Sequence, residues 1–251
     1  LTVATLGRLA GSPPGDDISG EFDVRAEVRA SRPSLDTVTG TVWIDRGTVT
    51  TNDITVTQMG SAVVEIGDAT ASFEEWRWTG GRSDVALRGR IGFGTSPVTY
   101  EVEARGPVDL ATLGPVFPGR TAGTLRLDVR AVSDGALHGV TGEVVLSGGT
   151  WIDRALQVAL TDAAGVVRLR GDRAIVDALT ARLNGGDVLV RGEVRQGAGQ
   201  RPLQVTLPLT GRGVTVEYPR RVVNDVDADL QVIAPGPRGT AMGVTGKALV
   251  R

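Results

Sequence analysis

The sequence predicts an all-β protein built from an antiparallel β-repeat, and three observations support this prediction. Blocks of similar residues return in the same order about every hundred residues. Within the blocks, apolar and polar residues alternate with the period of two that places strand side chains on opposite faces of a sheet. Short clusters of Gly, Pro, Asn and Asp separate the alternating segments, as they do in antiparallel meanders.

The repeat is clearest in a Val-Thr-Gly block, which reads VTGTV at residues 38–42, VTGEV at 140–144 and VTGKA at 244–248. Such a repeat usually extends one surface or groove along an axis, so it favours a scaffold or conduit over a one-site enzyme. We expect the chain to be a segment of a longer protein. The copies that we assign are residues 1–105, residues 106–212 and the start of a third copy at residues 213–251.

The strands follow from the alternation, and the clearest is GTLRLDVRA at residues 123–131. The same pattern recurs at residues 187–191, 203–209 and 225–232. Asn184-Gly185 is the sharpest hairpin signal in the chain. Short helical turns are predicted only at residues 2–9 and 108–114.

Fifteen apolar positions are predicted to face one shared interior, because they lie two apart within each strand and their neighbours are mostly polar. Trp43 and Leu189 break the alternation and are expected exceptions. The pattern leaves open a closed sandwich, a closed barrel, or a sheet folded along its length around a groove. The fifteen positions are Val42, Ile44, Val85, Leu87, Leu125, Leu127, Val129, Val144, Leu146, Val188, Val190, Val205, Leu207, Leu230 and Val232.

Composition excludes several classes of function. The 27 basic and 29 acidic residues nearly balance, and no basic run could neutralise a nucleic-acid backbone. The chain has no cysteine and one histidine, so we expect no cofactor, no disulfide and no thiolate metal site. No stretch approaches the ~18 apolar residues of a membrane span.

The second Gly-Gly block resembles a motif of the translocation and assembly module family (TamB-like), within the AsmA-like group. Residues 183–194 (LNGGDVLVRGEV) match its strand-turn pattern, and residues 211–219 (GRGVTVEYP) followed by DVDADL at 225–230 are similar to a second block. The resemblance is good from about residue 106 onward and looser before it, since residues 76–81 read WRWTGG in place of Leu-Asn-Gly-Gly.

The resemblance implies an elongated antiparallel β structure, folded lengthwise around a hydrophobic groove like a taco. It also implies a periplasmic protein that is held in the inner membrane by a segment outside this sequence. Its implied cargo is the acyl chains of phospholipids moving between the inner and outer membranes. An implied protein partner is a β-barrel assembly protein of the outer membrane.

The residues that could carry chemistry favour a non-enzyme. His138 lacks a second imidazole and is expected to be exposed to solvent. Asp225, Asp227 and Asp229 spell the opening of a calcium loop, but Leu230 stands where the loop needs Gly, and the alternation predicts a strand.

Three other patterns give weak signals. The adjacent acids Glu74–Glu75 and Asp16–Asp17 are expected on the surface, because catalytic carboxylates usually converge from different elements. Gly92-Phe93-Gly94 lacks the third glycine of a dinucleotide site. Trp76 and Trp78 share a face and predict either a lipid or partner surface or a plain cross-strand aromatic contact.

We therefore expect a non-catalytic conduit or scaffold. Acyl chains would lie along the apolar face, each buried methylene contributing about 0.8 kcal/mol. The leading alternative is a β-repeat adhesin or surface stalk whose apolar face is closed internally. A hydrolytic β-sandwich is disfavoured, because the sequence offers neither convergent acids nor an aromatic platform.

Overall fold

The computed structural model describes residues 2, 18–51, 54–94, 97–113, 119–134, 138–155, 157–196, 204–217, 223–234 and 243–250. Nearly all of them lie in antiparallel strands, so the predicted all-β fold is confirmed. The strands are β1 (Ile18–Ala30), β2 (Val38–Thr51), β3 (Ile54–Met59), β4 (Ala62–Gly67), β5 (Thr70–Gly80), β6 (Ser83–Gly92), β7 (Thr99–Asp109), β8 (Arg120–Ser133), β9 (His138–Asp153), β10 (Val158–Gly171), β11 (Arg173–Leu183), β12 (Gly186–Arg195), β13 (Gln204–Glu217), β14 (Val223–Ala234) and β15 (Gly243–Val250).

The chain divides into two compact units. Unit 1 comprises Leu1–Phe117 and Arg126–Gly139, and unit 2 comprises Pro118–Leu125 and Val140–Arg251. In unit 1 the strand order is β1-β2-β3-β5-β6-β7-β8, and β4 pairs with β2 and β5. In unit 2 every strand from β8 to β15 pairs with its chain neighbours. The copy boundaries drawn from the sequence blocks stay predictions.

Strands β3 and β4 form one interrupted strand between β2 and β5. Strand β3 pairs with the end of β2 and β4 with its beginning. The Gln58 side chain fills the interruption: its Nε2 donates to the carbonyl oxygens of Ile44 (2.6 Å) and Gly60 (2.7 Å). Gln58 is buried because these two bonds replace the water that its amide would otherwise need.

The three Val-Thr-Gly blocks occupy equivalent strands, β2, β9 and β15, so the β-repeat of the sequence is also a repeat of structure. Their glycines share an extended backbone with positive φ: +147° at Gly40, +125° at Gly142 and +147° at Gly246. A Cβ on Gly40 would lie 2.0 Å from the carbonyl oxygen of Glu27 in β1. Only glycine satisfies both conditions, which explains why it returns in each block.

Helical structure is confined to two 3-10 turns in the described residues, Leu35–Thr37 and Leu110–Leu113. The second confirms the turn predicted within residues 108–114. The first was not predicted; it follows Pro33 and is closed by a hydrogen bond from the Thr37 amide to the Ser34 carbonyl (3.1 Å). The turn predicted at residues 2–9 lies outside the described residues, apart from Thr2. No described helix has the length and apolarity to cross a membrane.

Candidate binding face

Strand pairing decides which residues share a face, because directly opposed residues of an antiparallel pair point to the same side. In unit 2 one row of opposed residues crosses seven strands from β9 to β15, and none of its members is polar. Neighbouring rows on this side are also apolar. We call this side the apolar face and the other side the charged face. The row reads Leu146, Gly165, Leu179, Val190, Leu209, Leu230 and Gly246.

The register places all eight predicted positions of β9 and β12–β14 on this apolar face. Val144 opposes Val167, and Val188 opposes Ala181. Leu207 opposes Val232. The eight are Val144, Leu146, Val188, Val190, Val205, Leu207, Leu230 and Val232.

Unit 1 has an apolar face of the same kind, defined by its own pairs. The four predicted positions in β2 and β6 lie on it. Their opposed partners are apolar, as the following pairs show: Val42 with Val64, Ile44 with Ala62, Val85 with Trp78, and Leu87 with Trp76.

Strand β8 shows the alternation through exposure. Its predicted residues Leu125, Leu127 and Val129 are half-buried, whereas the alternating Arg126, Asp128 and Arg130 are exposed. Asp128 identifies the charged side of β8, because its carboxylate accepts a hydrogen bond from Arg105 Nε (3.0 Å).

The two expected exceptions lie on the charged face. Leu189 stands between Thr180 and Thr210. Trp43 lies beneath the guanidinium of Arg25, which is 4.9 Å from its ring centroid.

The apolar face remains partly exposed to solvent. Of the fifteen predicted positions only Val188 and Val205 are buried, each 6% exposed, and the other thirteen are half-buried. No large side chain in the described part of the chain falls below 2% exposure. The centre of a two-layer core contains fully buried side chains. Whether the fifteen positions face one shared interior stays a prediction.

Glycines make the apolar face smooth. In a regular sheet the Cβ points away from neighbouring backbone, yet a Cβ on Gly89 would lie 2.4 Å from the Glu101 oxygen and one on Gly165 2.5 Å from the Ala178 oxygen. Such close approach marks positions where the sheet bends. Each glycine lies beside a Val or Leu, here Val102 and Leu179, whose side chain covers the gap.

Part of the apolar face in unit 1 is filled by an aromatic cluster of Phe22, Phe73, Trp76 and Trp78. Neighbouring ring centroids are 5.6–6.0 Å apart. Trp76 Nε1 donates to Gln58 Oε1 at 3.1 Å, so the ring is held at its polar end. Trp76 and Trp78 contact one another within β5, and Trp78 also contacts Phe22 of β1. A lipid or partner surface at these rings stays a prediction.

The charged face of unit 1 is neutralised by directly opposed ion pairs. Arg88 pairs with Glu103 (2.6 Å) and Arg90 with Glu101 (2.7 Å). The hydrogen bond from Arg90 lowers the pKa of the Glu101 carboxyl, and Arg130 lowers it further, although desolvation opposes both. Depressions of about 340 and 470 Å³ lie over these pairs. The guanidinium and carboxylate groups of these two pairs already satisfy one another.

Two side chains, Asp109 and Asn184, hold the Gly-Gly turns, and the sequence singled out only Asn184, as a turn residue. Asp109, 7% exposed, accepts hydrogen bonds from the amide and guanidinium of Arg82 and from the Ala111 amide. In the second copy, Asn184 Oδ1 accepts from the Ala159 amide (2.7 Å), while Nδ2 donates to the carbonyls of Gln157 (3.2 Å) and Thr215 (3.1 Å). The Asn-Gly signal predicted the turn but not this contact with two other strands.

The residues considered for chemistry are not brought together. His138 is exposed and stacks on Tyr100, with centroids 6.2 Å apart. The alternating acids of β14 bind strand β13: Asp225 accepts from Thr215 and Asp229 pairs with Arg212. Asp227 Oδ1 accepts from the Gly213 amide.

The remaining weak signals also have structural positions. Glu74 and Glu75 are exposed in β5, Gly92 ends β6 without a following helix, and Asp16–Asp17 lie outside the described residues. The described residues contain no group of three or more His, Cys, Asp or Glu placed to hold a metal ion.

Comparison with known proteins returned no match: no family model, no curated protein and no solved structure is similar to this chain.

Proposed function

We propose that the chain is a non-catalytic β scaffold whose apolar face holds the acyl chains of phospholipids. The observation that carries the proposal is the seven-strand apolar row of unit 2, whose large members are only half-buried. Burial against an acyl chain would complete the desolvation of these side chains. The glycines support the proposal as well, since a smooth surface suits a flexible hydrocarbon better than a rigid ligand.

The resemblance to TamB-like proteins adds the setting. We propose that the scaffold works in the periplasm, attached to the inner membrane by a segment outside this sequence. There it would pass phospholipid between the inner and outer membranes or assist the assembly of outer-membrane β-barrel proteins. Either task needs an apolar surface and no bond-making step, so the chain would act without being an enzyme.

Site-specific photo-crosslinking tests the proposal at two adjacent residues of β8. A crosslinker at Leu127, on the apolar side, should capture phospholipid from vesicles. One at Asp128, whose side chain is 71% exposed on the charged side, is the matched control and should not. Equal capture at both positions would contradict the proposal.

A second variant separates an open face from a closed one. Leu127→Arg should reduce phospholipid capture while the chain stays folded, because a guanidinium on an open face can reach water. On a face closed internally, as in the adhesin or stalk, the same charge would be buried without a partner and would unfold unit 1. Unfolding without any captured lipid would favour that alternative.

A further inference from the structure

Three arginines stand directly opposite one another on the charged face of unit 2. Arg170 and Arg173 are opposed across the two-residue turn between β10 and β11, and Arg173 also opposes Arg195 in β12. Opposed Cβ atoms are about 4.5–5.5 Å apart, and like charges in this position destabilise a sheet. We call these residues the arginine row.

The nearby carboxylates do not neutralise the row. Asp172 lies 3.6 Å from Arg173, and Glu193 pairs with Arg195. Arg170 makes no ion pair with any residue that the structure describes. Three guanidinium groups therefore face two carboxylates, with one positive charge in excess. The side chains of Arg173 and Arg195 are 45% and 41% exposed, so a solute can reach them.

Opposition of like charges is not general in this chain. In unit 1 the arginines of β6 oppose acids: Arg88 stands opposite Glu103 and Arg90 opposite Glu101. The ion pairs formed there are close, at 2.6 and 2.7 Å. The arginine row is thus a local departure from the charge pairing of the repeat.

The repeat supplies an internal comparison as well. In the first copy the hairpin of β4 and β5 carries Gly67 opposite Thr70, and Thr70 opposite Gly92. These three positions correspond to the arginine row, and none of them is charged. The hairpin forms in either case, so its folding does not require the arginines.

We propose that the arginine row binds a phosphate group. Guanidinium groups bind phosphate oxygens through paired, charge-assisted hydrogen bonds, and adjacent strands hold two such groups within reach of one phosphate. A bound dianion would also remove the repulsion within the row. The phosphate can belong to a free anion or to a lipid headgroup, and the chemistry of recognition is the same. The site lies on the charged face and does not depend on acyl binding to the apolar face.

The test compares the wild-type chain with Arg173→Gln and with Arg126→Gln. Arg126 is an exposed arginine of β8 outside the row and makes no ion pair with a described residue, so its replacement removes the same charge. Thermal unfolding is followed against inorganic phosphate, with sodium chloride at equal ionic strength as the reference. Phosphate should raise the Tm of the wild type and of R126Q saturably. The apparent affinity should fall about tenfold in R173Q, which loses one charge-assisted contact.

Two further arms complete the test. If R173Q is unstable, Arg170→Gln replaces it, because Arg170 has no described ion pair to lose. Co-sedimentation with phosphatidylcholine vesicles, with and without phosphatidic acid, identifies the source. If the chain sediments only with vesicles that contain phosphatidic acid, and the R170Q/R173Q/R195Q variant does not, the source is a lipid headgroup. If the chain binds inorganic phosphate saturably but does not sediment with either kind of vesicle, the source is a free anion. No phosphate response and no retention, or equal responses of R173Q and R126Q, would overturn the proposal.

Discussion

Four glycine-to-alanine variants separate the two reasons for glycine in this sheet, namely positive φ and close approach of the neighbouring strand. Gly67 has neither, Gly185 has only a positive φ of +90° with open space around it, and Gly165 has only the close approach. Gly192 combines both: its φ is +123°, and a Cβ would lie 2.2 Å from the Thr206 oxygen.

The expected changes in the free energy of unfolding follow from these contacts. Gly67→Ala should stabilise by about 0.4–1 kcal/mol, because alanine restricts the unfolded chain. Gly185→Ala should cost about 1–2 kcal/mol, since the backbone strain exceeds that gain. Gly165→Ala should cost about 1–3 kcal/mol for overpacking. Gly192→Ala carries both penalties and should cost about 2–5 kcal/mol.

Urea unfolding of the whole chain, followed by far-ultraviolet circular dichroism, measures all four changes. A midpoint that falls at constant slope reports lost stability without a change in the surface exposed. Gly192→Ala must be the most damaging of the four. If it were no worse than Gly185→Ala, the strands would not be in close contact at that glycine, and the smooth apolar face would lose its structural basis.

Two further predictions concern the side chains that hold the Gly-Gly turns. Asn184→Ala should lower the free energy of unfolding by about 2–3 kcal/mol in the same assay, because three hydrogen bonds are lost. Asn184→Gly tolerates the φ of +48° at this position and should recover only part of that stability. Full recovery by Asn184→Gly would show that the hydrogen bonds contribute nothing. Burial opposes ionisation of Asp109, but hydrogen bonds from Arg82 and Ala111 outweigh it and lower its pKa. Its contribution to stability is therefore present above the unfolded pKa of about 3.9 and is lost as the pH falls through the folded pKa. The Asp109→Asn variant should be less stable than the wild type at pH 7 and should lose less stability than the wild type between pH 5 and pH 2. Urea midpoints of the two proteins that fall in parallel across that range would refute this.

The sequence predicted the faces of the strands better than the partners across them. Side-chain parity depends only on the alternation within one strand, so Leu127 and Asp128 could be placed on opposite sides without knowing their neighbours. Predicting which residues oppose one another across two strands requires the register of the pair. The sequence of a single strand does not contain that information. The opposition of Arg88 with Glu103 therefore remained hidden.

The arginine row could have been found from one local signal. Residues that flank a two-residue hairpin turn are opposed, and Arg170 and Arg173 flank Gly171-Asp172. Arg195 is different, since its place beside Arg173 depends on the register of the next hairpin. The buried roles of Gln58 and Asp109 depend on contacts from distant strands and have no comparable signal in the sequence.

The bulges show that continuity of the apolar face takes precedence over regular pairing. In β5 the register shifts between Phe73 and Trp76, where two polar residues interrupt the alternation, and both aromatic residues remain on the apolar face. The equivalent shift in β11 lies between Val176 and Leu179. Without the extra residue, each strand would turn its following apolar residues to the charged side. Apolar residues spaced three apart instead of two mark these bulges in the sequence, and the same spacing returns at the register shift between Gly211 and Val214 in β13. A sheet that needed only to fold could end a strand at such a point. Unit 1 instead keeps its apolar face through the shift in β5, and unit 2 keeps its own through the shifts in β11 and β13.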